Sequence, residues 1–255
     1  MSDHQTVAYA RKGLIGVLTP QANTTVEPEY SILCPQGHAF INARMTSRKD
    51  TIEARLVDYA DSIEDHIAQF ANAPLHAVAL ATTGASYLIG KSAEDELVER
   101  VMISRGLPLV TTALAVCDAL GVLNARRIAL ISPYPPALTD ESVRYWQSRD
   151  LEVVRVVSAF EDSESFHPIY ALAADAAGVG LASVKDCGAE AVVMLGTGMP
   201  TLPAIAAHIH WDGPPILSCM LALVWRSVMA SSGQKLGKSG FMDWIAARHW
   251  RARIG

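Results

Sequence analysis

The chain alternates short, continuous apolar runs with longer stretches in which apolar residues recur every three or four positions. Each apolar run stops at glycine, proline, serine or threonine, as expected of a buried strand that ends in a turn. Continuous apolar strands separated by helical periodicity indicate a parallel sheet with helices on both faces. The predicted strands are residues 14–18, 76–81, 109–110, 127–131, 191–195 and 216–217.

Residues 51–70 form the clearest predicted helix. Ile52, Leu56, Tyr59 and Ile63 fall on one stripe of a helical wheel, and the acidic residues of the segment lie largely outside it. A stripe of this kind predicts a helix that packs on the sheet with one face and meets solvent with the other.

Two strand ends recur in the second half of the chain at nearly the same spacing. Residues 15–20 (IGVLTP) match 128–133 (IALISP), and residues 77–84 (AVALATTG) match 191–198 (AVVMLGTG). One such match between generic apolar strands arises easily by chance, whereas two at one spacing favour an internal repeat. We therefore expect an α/β fold with two similar lobes, each a parallel sheet flanked by helices, related by a pseudo-twofold axis with the site in the cleft between them. The expected division is residues 1–115 plus 216–255 for the first lobe and residues 116–215 for the second.

Composition narrows the class of protein. The chain has 255 residues, of which 50% are hydrophobic and 18% charged, and a net charge of -5. An acidic protein without a basic run is a poor partner for nucleic acid or an anionic membrane. The N-terminal 13 residues are polar, and the longest apolar stretch, residues 216–225, is too short to cross a bilayer. We expect a soluble, cytoplasmic protein with no membrane partner, and leave a homo-oligomer open.

The ends of the predicted strands are the expected ligand site, because ligands bind outside the carboxyl ends of parallel strands. These ends are rich in small residues, hydroxyls and free backbone N–H groups, and the helices that follow add partial positive charge. The sequence therefore predicts a cleft for a small carboxylate or dicarboxylate. The residues expected to bind this substrate are Pro20, Asn23, Thr83, Gly84, Thr197 and Gly198.

Cofactor and metal sites are not expected. Gly196 and Gly198 follow a strand, but Thr201 stands where a dinucleotide-binding loop would need its third glycine. His208 and His210 would face different ways on a helix, and no third ligand is evident. The four cysteines are widely spaced and contain no CxxC pair, so in a reducing compartment they are expected to be small buried residues.

Three segments resemble those of a known superfamily. Residues 16–29 (GVLTPQANTTVEPE) are similar to the opening loop of maleate isomerases, residues 108–112 to a Pro-hydrophobic-Thr-Thr segment, and residues 119–134 to an entry into the second lobe that ends in Pro-Tyr. Gly90 and the Thr201-Leu202 pair match the arylmalonate decarboxylases. From about residue 13 to residue 233, the chain resembles the aspartate/glutamate racemase superfamily, nearest to maleate cis-trans isomerases and arylmalonate decarboxylases.

The resemblance implies a catalytic cysteine at the end of one central strand in each lobe. Racemases use the two thiols as opposed acid and base, maleate isomerases use one to attack the double bond, and arylmalonate decarboxylases keep only the second as a proton donor. Here the two positions fall on Thr82 and Gly196, so neither holds a thiol. Cys219, at the end of a neighbouring strand, either approaches the cleft or packs in the core.

These residues predict a cofactor-independent enzyme of this superfamily that acts through an enolate-like intermediate and not by the two-thiol mechanism. An unactivated hydroxyl such as that of Thr82 is too weak a base to replace a thiolate. The expected catalytic positions are Thr82 and Gly196, with Tyr134 and His167 as candidate acid or base. Two alternatives stay open: a hydrolase or lyase that uses His167, Tyr134 or water, and a non-catalytic carboxylate-binding protein.

Two further expectations concern the periphery of the site. Glu27 is expected to cap or support the first loop and not to attack substrate. Residues 234–255 are basic and contain Trp244 and Trp250, which predicts an extra helix that packs on a lobe or on a partner subunit.

Overall fold

The first lobe is built on a parallel sheet with the strand order β2-β1-β3-β4. A computed structural model describes residues 7–161 and 167–254 of the chain, and the other residues lie outside the described part. The strands β1 and β3 at the centre of this sheet are buried along their whole length. The four strands are β1 Gly13–Pro20, β2 His38–Met45, β3 Ala77–Leu80 and β4 Leu109–Thr111.

The second lobe repeats this topology, with the strand order β6-β5-β7-β8 and all strands parallel. The two central strands of each sheet are the ones that the internal repeat pairs, β1 with β5 and β3 with β7. The predicted two-lobed α/β fold is therefore confirmed. The four strands are β5 Arg127–Ser132, β6 Glu152–Ser158, β7 Ala191–Met194 and β8 Ile216–Ser218.

Helices connect the strands on both faces of each sheet. The longest of them, α4, is interrupted at Gly90, where the backbone leaves the helical region. The helices that follow strands of the first lobe are α1 Val26–Leu33, α2 Ile52–Asp61, α3 Ile63–Ala68, α4 Thr83–Arg105 and α5 Thr112–Leu123. Those that follow strands of the second are α6 Pro136–Ser148, α7 Leu181–Val184, α8 Leu202–Ala207, α9 Cys219–Ser232 and α10 Lys238–Ile245.

One predicted helix is wrong, and two strands were missed. The single helix predicted over 51–70 is wrong, because the backbone at Ser62 leaves the helical region and separates α2 from α3. Thr51 caps α2 by accepting a hydrogen bond from the Ala54 N–H at 3.1 Å. The edge strands β2 and β6 were not predicted, because neither has a continuous apolar run. Strand β2 mixes buried with partly exposed residues, and β6 is partly or fully exposed along its whole length.

The apolar core runs through both lobes. Helix α9 follows β8 of the second sheet but packs on β1, β3 and β4 of the first, and it lies beside α5. The expected division of the chain stays a prediction as a whole, but β8 is hydrogen-bonded to β7, so residues 216–218 lie with the second sheet. Helix α10 packs on α5 and α9, with the ring of Phe241 at 4.5 Å from that of Trp225. No helix in residues 7–161 and 167–254 is long and apolar enough to cross a bilayer.

Two buried carboxylates join the lobes. Glu94 of α4 accepts hydrogen bonds from Tyr145 of α6 and, at 2.6 Å, from Arg149, the residue that ends this helix. Glu29 of α1 caps α8 from across the lobe boundary, since its Oε1 accepts the N–H groups of Thr201 at 2.5 Å and Leu202 at 3.1 Å. Burial raises the pKa of Glu29 to about 7, against the lowering effect of these hydrogen bonds.

We expect the buried carboxyl group of Glu29 to make the free energy of unfolding depend on pH. A folded-state pKa above the usual 4.5 means that its contribution is full below pH 4.5 and is lost as pH rises through about 7. A shift of this size corresponds to about 3 kcal/mol. Glu29→Gln keeps an oxygen for both backbone N–H groups and cannot ionise. The difference in urea unfolding free energy between wild type and Glu29→Gln should therefore change in favour of the variant between pH 4.5 and pH 8. A difference that stays constant across this range contradicts the expected linkage.

Candidate active site

Three hydrogen bonds hold the loop after β7 against the first lobe. Asn23 Nδ2 donates to the Thr197 carbonyl at 3.3 Å, and Thr25 Oγ1 donates to the Gly198 carbonyl at 2.6 Å. In return, Thr197 Oγ1 donates to the Ala81 carbonyl at the end of the first lobe's central strand, at 2.8 Å. All three acceptors are backbone carbonyl oxygens of strand-end loops. Because these carbonyls are engaged at the lobe boundary, the peptide N–H groups of the loops remain for the cleft.

Two pairs of N–H groups border the cleft. Thr83 and Gly84 form the first turn of α4, where N–H groups have no acceptor within the helix. Thr197 and Gly198, in the loop after β7, line the same cleft. Within residues 7–161 and 167–254, the hydrogen bonds include no acceptor for these four N–H groups. The arrangement suits an anion that bridges the two lobes, because such groups bind carboxylates well at a helix start.

The cleft between the loops is narrow, and the space between its atoms is about 370 Å³ when its opening to solvent is included. It collects nine of the ten residues that the sequence assigned to the site, although their individual roles stay predictions. Asn23 is the tenth and does not line the cleft. Its Nδ2 donates to the loop of the second lobe, and its Oδ1 accepts the N–H groups of Thr25 and Val26. The nine that line the cleft are Pro20, Thr82, Thr83, Gly84, Tyr134, His167, Gly196, Thr197 and Gly198.

One side of the cleft is apolar, and sequence reasoning did not find it. Ile52 and Leu56 come from successive turns of α2, Leu138 from α6, and Ile169 and Tyr170 from the segment after β6. Their only sequence signal was the apolar stripe of the 51–70 segment, which equally fits packing on the sheet. The cleft therefore places a hydrogen-bonding side next to a side with few polar groups.

The two positions implied for catalytic cysteines are not equivalent. Thr82 is the N-cap of α4, and its side chain makes no capping hydrogen bond, so its hydroxyl is available to the cleft. Gly196 has φ +82, a conformation that residues with a side chain rarely adopt. A Cβ at Gly196 would lie 3.2 Å from the Tyr134 hydroxyl and 3.2 Å from Pro133 Cγ. Tyr134 thus stands beside the place where the second thiol would be.

Tyr134 is a buried phenol at the floor of the cleft. Burial raises its pKa well above the usual 10, and the nearby Thr83 hydroxyl opposes this only partly. The phenol therefore keeps its proton at neutral pH and can donate it. The Thr83 hydroxyl is itself buried without a completed hydrogen bond among the described residues, which leaves it free to orient toward Tyr134 or a ligand.

Cys219 lies one layer below the cleft and not on its wall. Its side chain is fully buried at the start of α9. Burial raises the pKa of Cys219 to about 11, although the Thr83 hydroxyl, the Gly196 N–H and the Tyr87 hydroxyl lower it. At neutral pH the group is a thiol and not the thiolate that nucleophilic attack requires.

His167 and Tyr170 stack on each other across the mouth of the cleft. Their rings are 3.7 Å apart and 10° from parallel, and the Ile169 N–H donates to His167 Nδ1 at 3.2 Å. Burial, with a smaller contribution from Arg55, lowers the pKa of His167 to about 4, so the ring is neutral at pH 7. The absence of a side chain at Gly198 makes room for the Tyr170 ring, because a Cβ there would come within 2.3 Å of Tyr170 Cδ1. Residues 162–166, which precede His167 in the chain, lie outside the described residues.

Other candidates from the sequence lie away from the cleft. Glu27 accepts hydrogen bonds from Arg44 and, at 3.0 Å, from Asn42, and Arg44 in turn donates to the carbonyls of Pro20 and Asn23. His208 is the C-cap of α8, with Nδ1 at 2.8 Å from the Ala204 carbonyl. In the described part of the chain, no three His, Cys, Asp or Glu residues group as metal ligands do.

The chain is a two-lobed α/β protein with a cleft at the strand ends between its repeated lobes. A known protein family matches most of the chain. Residues 15–240 match the family model described as arylmalonate decarboxylase, and the chain belongs to this family. It is 26% identical over 233 residues to a maleate isomerase from Pseudomonas putida, which covers 85% of this chain and 90% of that protein.

Two solved structures share the fold. One is an alanine variant of the maleate isomerase Iso from another Pseudomonas putida strain, with maleate; it has a TM-score of 0.76 and 23% identity, and the match covers 86% of this chain and 91% of that one. The other is a liganded arylmalonate decarboxylase in which a glycine is replaced by cysteine and a cysteine by serine. Its TM-score is 0.71 and its identity 18%, with 91% of this chain and 98% of that one covered. These relatives are isomerase and decarboxylase enzymes.

We expect Gly196→Ala to be costly, because it forces a side chain into a positive-φ conformation and against Tyr134. The cost should be about 1–2 kcal/mol of unfolding free energy in urea. Gly121→Ala is the matched control, since Gly121 lies exposed in α5 with nothing near its Cβ position, and it should gain up to about 1 kcal/mol. Equal effects at both positions would contradict the conformational role of Gly196. Gly196→Cys should lower the free energy of unfolding at least as much as Gly196→Ala does.

Proposed function

We propose that the protein is a cofactor-independent enzyme that acts on a small carboxylic or dicarboxylic acid through an enolate-like intermediate, and that its reaction is the decarboxylation of a malonate-type acid. One observation carries the proposal: one cleft brings together residues with unpaired N–H donors from both lobes, a group of apolar side chains and the buried, protonated phenol of Tyr134. Membership of the arylmalonate decarboxylase family supports it.

The retained carboxylate of the substrate would bind between the N–H groups of Thr83 and Gly84 and those of Thr197 and Gly198. When the neighbouring C–C bond breaks, its electron pair spreads onto the oxygens of this carboxylate and gives an enediolate. Donors that already point at these oxygens stabilise the growing charge without having to reorganise, and loss of one typically costs ~2.7–4 kcal/mol of barrier.

The departing carboxylate would lie against Leu138 and Ile169. An ionised carboxylate is poorly accommodated by such a surface, whereas carbon dioxide is neutral and needs no hydrogen bonds. The apolar wall therefore favours loss of this group relative to its retention. A cleft with hydrogen-bond donors on one side only can in this way distinguish the two carboxylates of one substrate.

Tyr134 would finish the reaction as general acid. Its O–H bond breaks as the new C–H bond forms at the carbon that lost carbon dioxide, and the phenolate regains a proton from water. Decarboxylation creates the carbanion without a base, so it needs neither the two opposed thiols of a racemase nor a thiolate that attacks a double bond. This makes it the reaction of the superfamily that fits a cleft with threonine and glycine at the cysteine positions.

A second candidate is an isomerase that moves a proton on a small acid. His167 favours this reaction, because it lines the same cleft as Tyr134 and its ring is neutral at pH 7. The ring could accept a proton from the substrate carbon while Tyr134 donates one to another face of the substrate. Heavy water separates the two reactions: isomerisation exchanges a substrate proton without release of carbon dioxide.

We expect Tyr134→Phe to lower kcat for a substituted malonic acid about 10²–10⁴-fold, with KM changed much less, because the variant keeps the binding groups and loses the acid. Turnover of a panel of substituted malonates in heavy water is followed by carbon dioxide release and by NMR, and one deuterium should appear at the product carbon. Tyr30→Phe removes the same atom from another buried tyrosine that does not line the cleft, and it should leave kcat unchanged.

The same assay contradicts the proposal in distinguishable ways. Turnover that survives in Tyr134→Phe removes the phenol from the mechanism. Deuterium exchange without carbon dioxide release selects the isomerase. Hydrolysis or elimination of other acids selects a different reaction on the same fold. Saturable binding of dicarboxylates by calorimetry, with no turnover of any panel member, marks a carboxylate-binding protein.

We also expect activity to persist without any thiol at the reacting carbon. Burial raises the pKa values of Cys219 to about 11, Cys117 to about 12 and Cys34 to about 11, which keeps these groups protonated near pH 7. Cys219→Ser should therefore retain turnover within a few-fold, and iodoacetamide at pH 7 should not abolish it. A loss of turnover in Cys219→Ser, with unfolding free energy unchanged, would identify a thiol mechanism instead.

A further inference from the structure

The cleft continues beyond the site described above. A second, more open chamber adjoins it and shares the walls formed by Ile52, Leu56, His167 and Tyr170. We call the first the inner chamber and this one the outer chamber. The residues that line only the outer chamber are Gln21, Ala22, Arg55 and Tyr59.

Arg55 is the only charged side chain that lines either chamber in the described part of the chain, if neutral His167 is set aside. It projects from α2, one position before Leu56. Its Nε donates to the Thr51 carbonyl at 3.2 Å, and Nη2 donates to the Asp50 carbonyl at 3.4 Å. Both acceptors belong to the backbone that leads into α2, so they orient the guanidinium without neutralising it.

No carboxylate lies within 4.0 Å of Arg55 among the residues that the structure describes. Arginines elsewhere at the lobe boundary are paired, as Arg44 is with Glu27 and Arg149 with Glu94. A half-buried guanidinium retained beside a cleft without a counter-ion is a binding group for an anion, because it can present N–H donors in a fork that matches a carboxylate.

The charge of Arg55 acts on the wall that the two chambers share. It lowers the pKa of His167, and it opposes the burial that raises the pKa values of Tyr59 and Tyr170. These three rings bound the outer chamber. An anion held in this chamber would therefore feel the same positive potential.

We propose that the outer chamber is a second anion subsite, which takes a carboxylate carried on the side chain of the substrate. The reacting end would sit in the inner chamber, an apolar linker would lie along Ile52 and Leu56, and the distal carboxylate would meet Arg55. This inference rests on the proposed function, since it assumes that the inner chamber holds the reacting acid. It makes Arg55 the residue that selects acids with an anionic tail over acids with an apolar one.

Unreactive acids of matched length test this selection by calorimetry. The pairs are succinate with butyrate, glutarate with valerate, and adipate with hexanoate. We expect the wild type to bind the longer dicarboxylates at least about 10-fold more tightly than their monocarboxylate partners, as one charge-assisted contact allows. In Arg55→Gln this preference should fall to about 2-fold or less, while monocarboxylates bind as before. Arg55→Lys, which keeps the charge but not the fork, should retain part of the preference.

Arg100→Gln is the matched control, because Arg100 is exposed near the far end of α4 and its loss changes the net charge equally. It should keep the wild-type preference. An equal loss in Arg100→Gln would overturn a local role for Arg55, since general attraction would then explain the result. Equal binding of matched acids by wild type and Arg55→Gln would overturn the subsite and leave the proposed function standing. Failure of the wild type to bind any of the six acids would count against the proposed function itself.

Discussion

The structure depends on how the carbonyl oxygens of its strand-end loops are used. The second-lobe loop gives its carbonyls to Asn23 and Thr25, and the first lobe gives the Ala81 carbonyl to Thr197. These hydrogen bonds hold the two lobes together and occupy the carbonyls of the loops, so the loop groups left for a ligand are mainly N–H donors. Glu29 adds to the same arrangement by holding the start of α8 from the first lobe. The proposed carboxylate site would follow from the way the lobes are joined.

The same arrangement limits the chemistry. Gly196 occupies a conformation that a cysteine would rarely adopt, and the Tyr134 hydroxyl lies close to where its Cβ would be. The absence of thiols at Thr82 and Gly196 is therefore accompanied by a phenol in place beside the second position. Cys219 stays below the cleft floor as a protonated thiol. What remains in the cleft is a set of N–H donors, a group of apolar side chains and the Tyr134 phenol, and the proposed decarboxylation needs no group beyond these.

Much of this could be predicted from sequence, because buried parallel strands have a strong local signal. The central strands, the repeat that relates them and most of the cleft residues at their ends followed from apolar runs that stop at Gly, Pro or Thr. The edge strands β2 and β6 did not, since exposure on one side breaks their apolar pattern. The apolar wall, Tyr170 and Arg55 were missed for another reason. They come from elements distant in sequence, and their part in the cleft depends on how α2 and the segment after β6 pack across the lobe boundary.

A crystal structure with a bound, unreactive monocarboxylate would show whether both lobes hold the reacting acid. We expect its carboxylate to lie within hydrogen-bonding distance of the N–H groups of both lobes, at Thr83 or Gly84 and at Thr197 or Gly198, with the Tyr134 hydroxyl facing the adjacent carbon. A carboxylate held by one lobe alone, or bound outside this cleft with Tyr134 turned away from it, would contradict the claim that the joined loops form the reacting site.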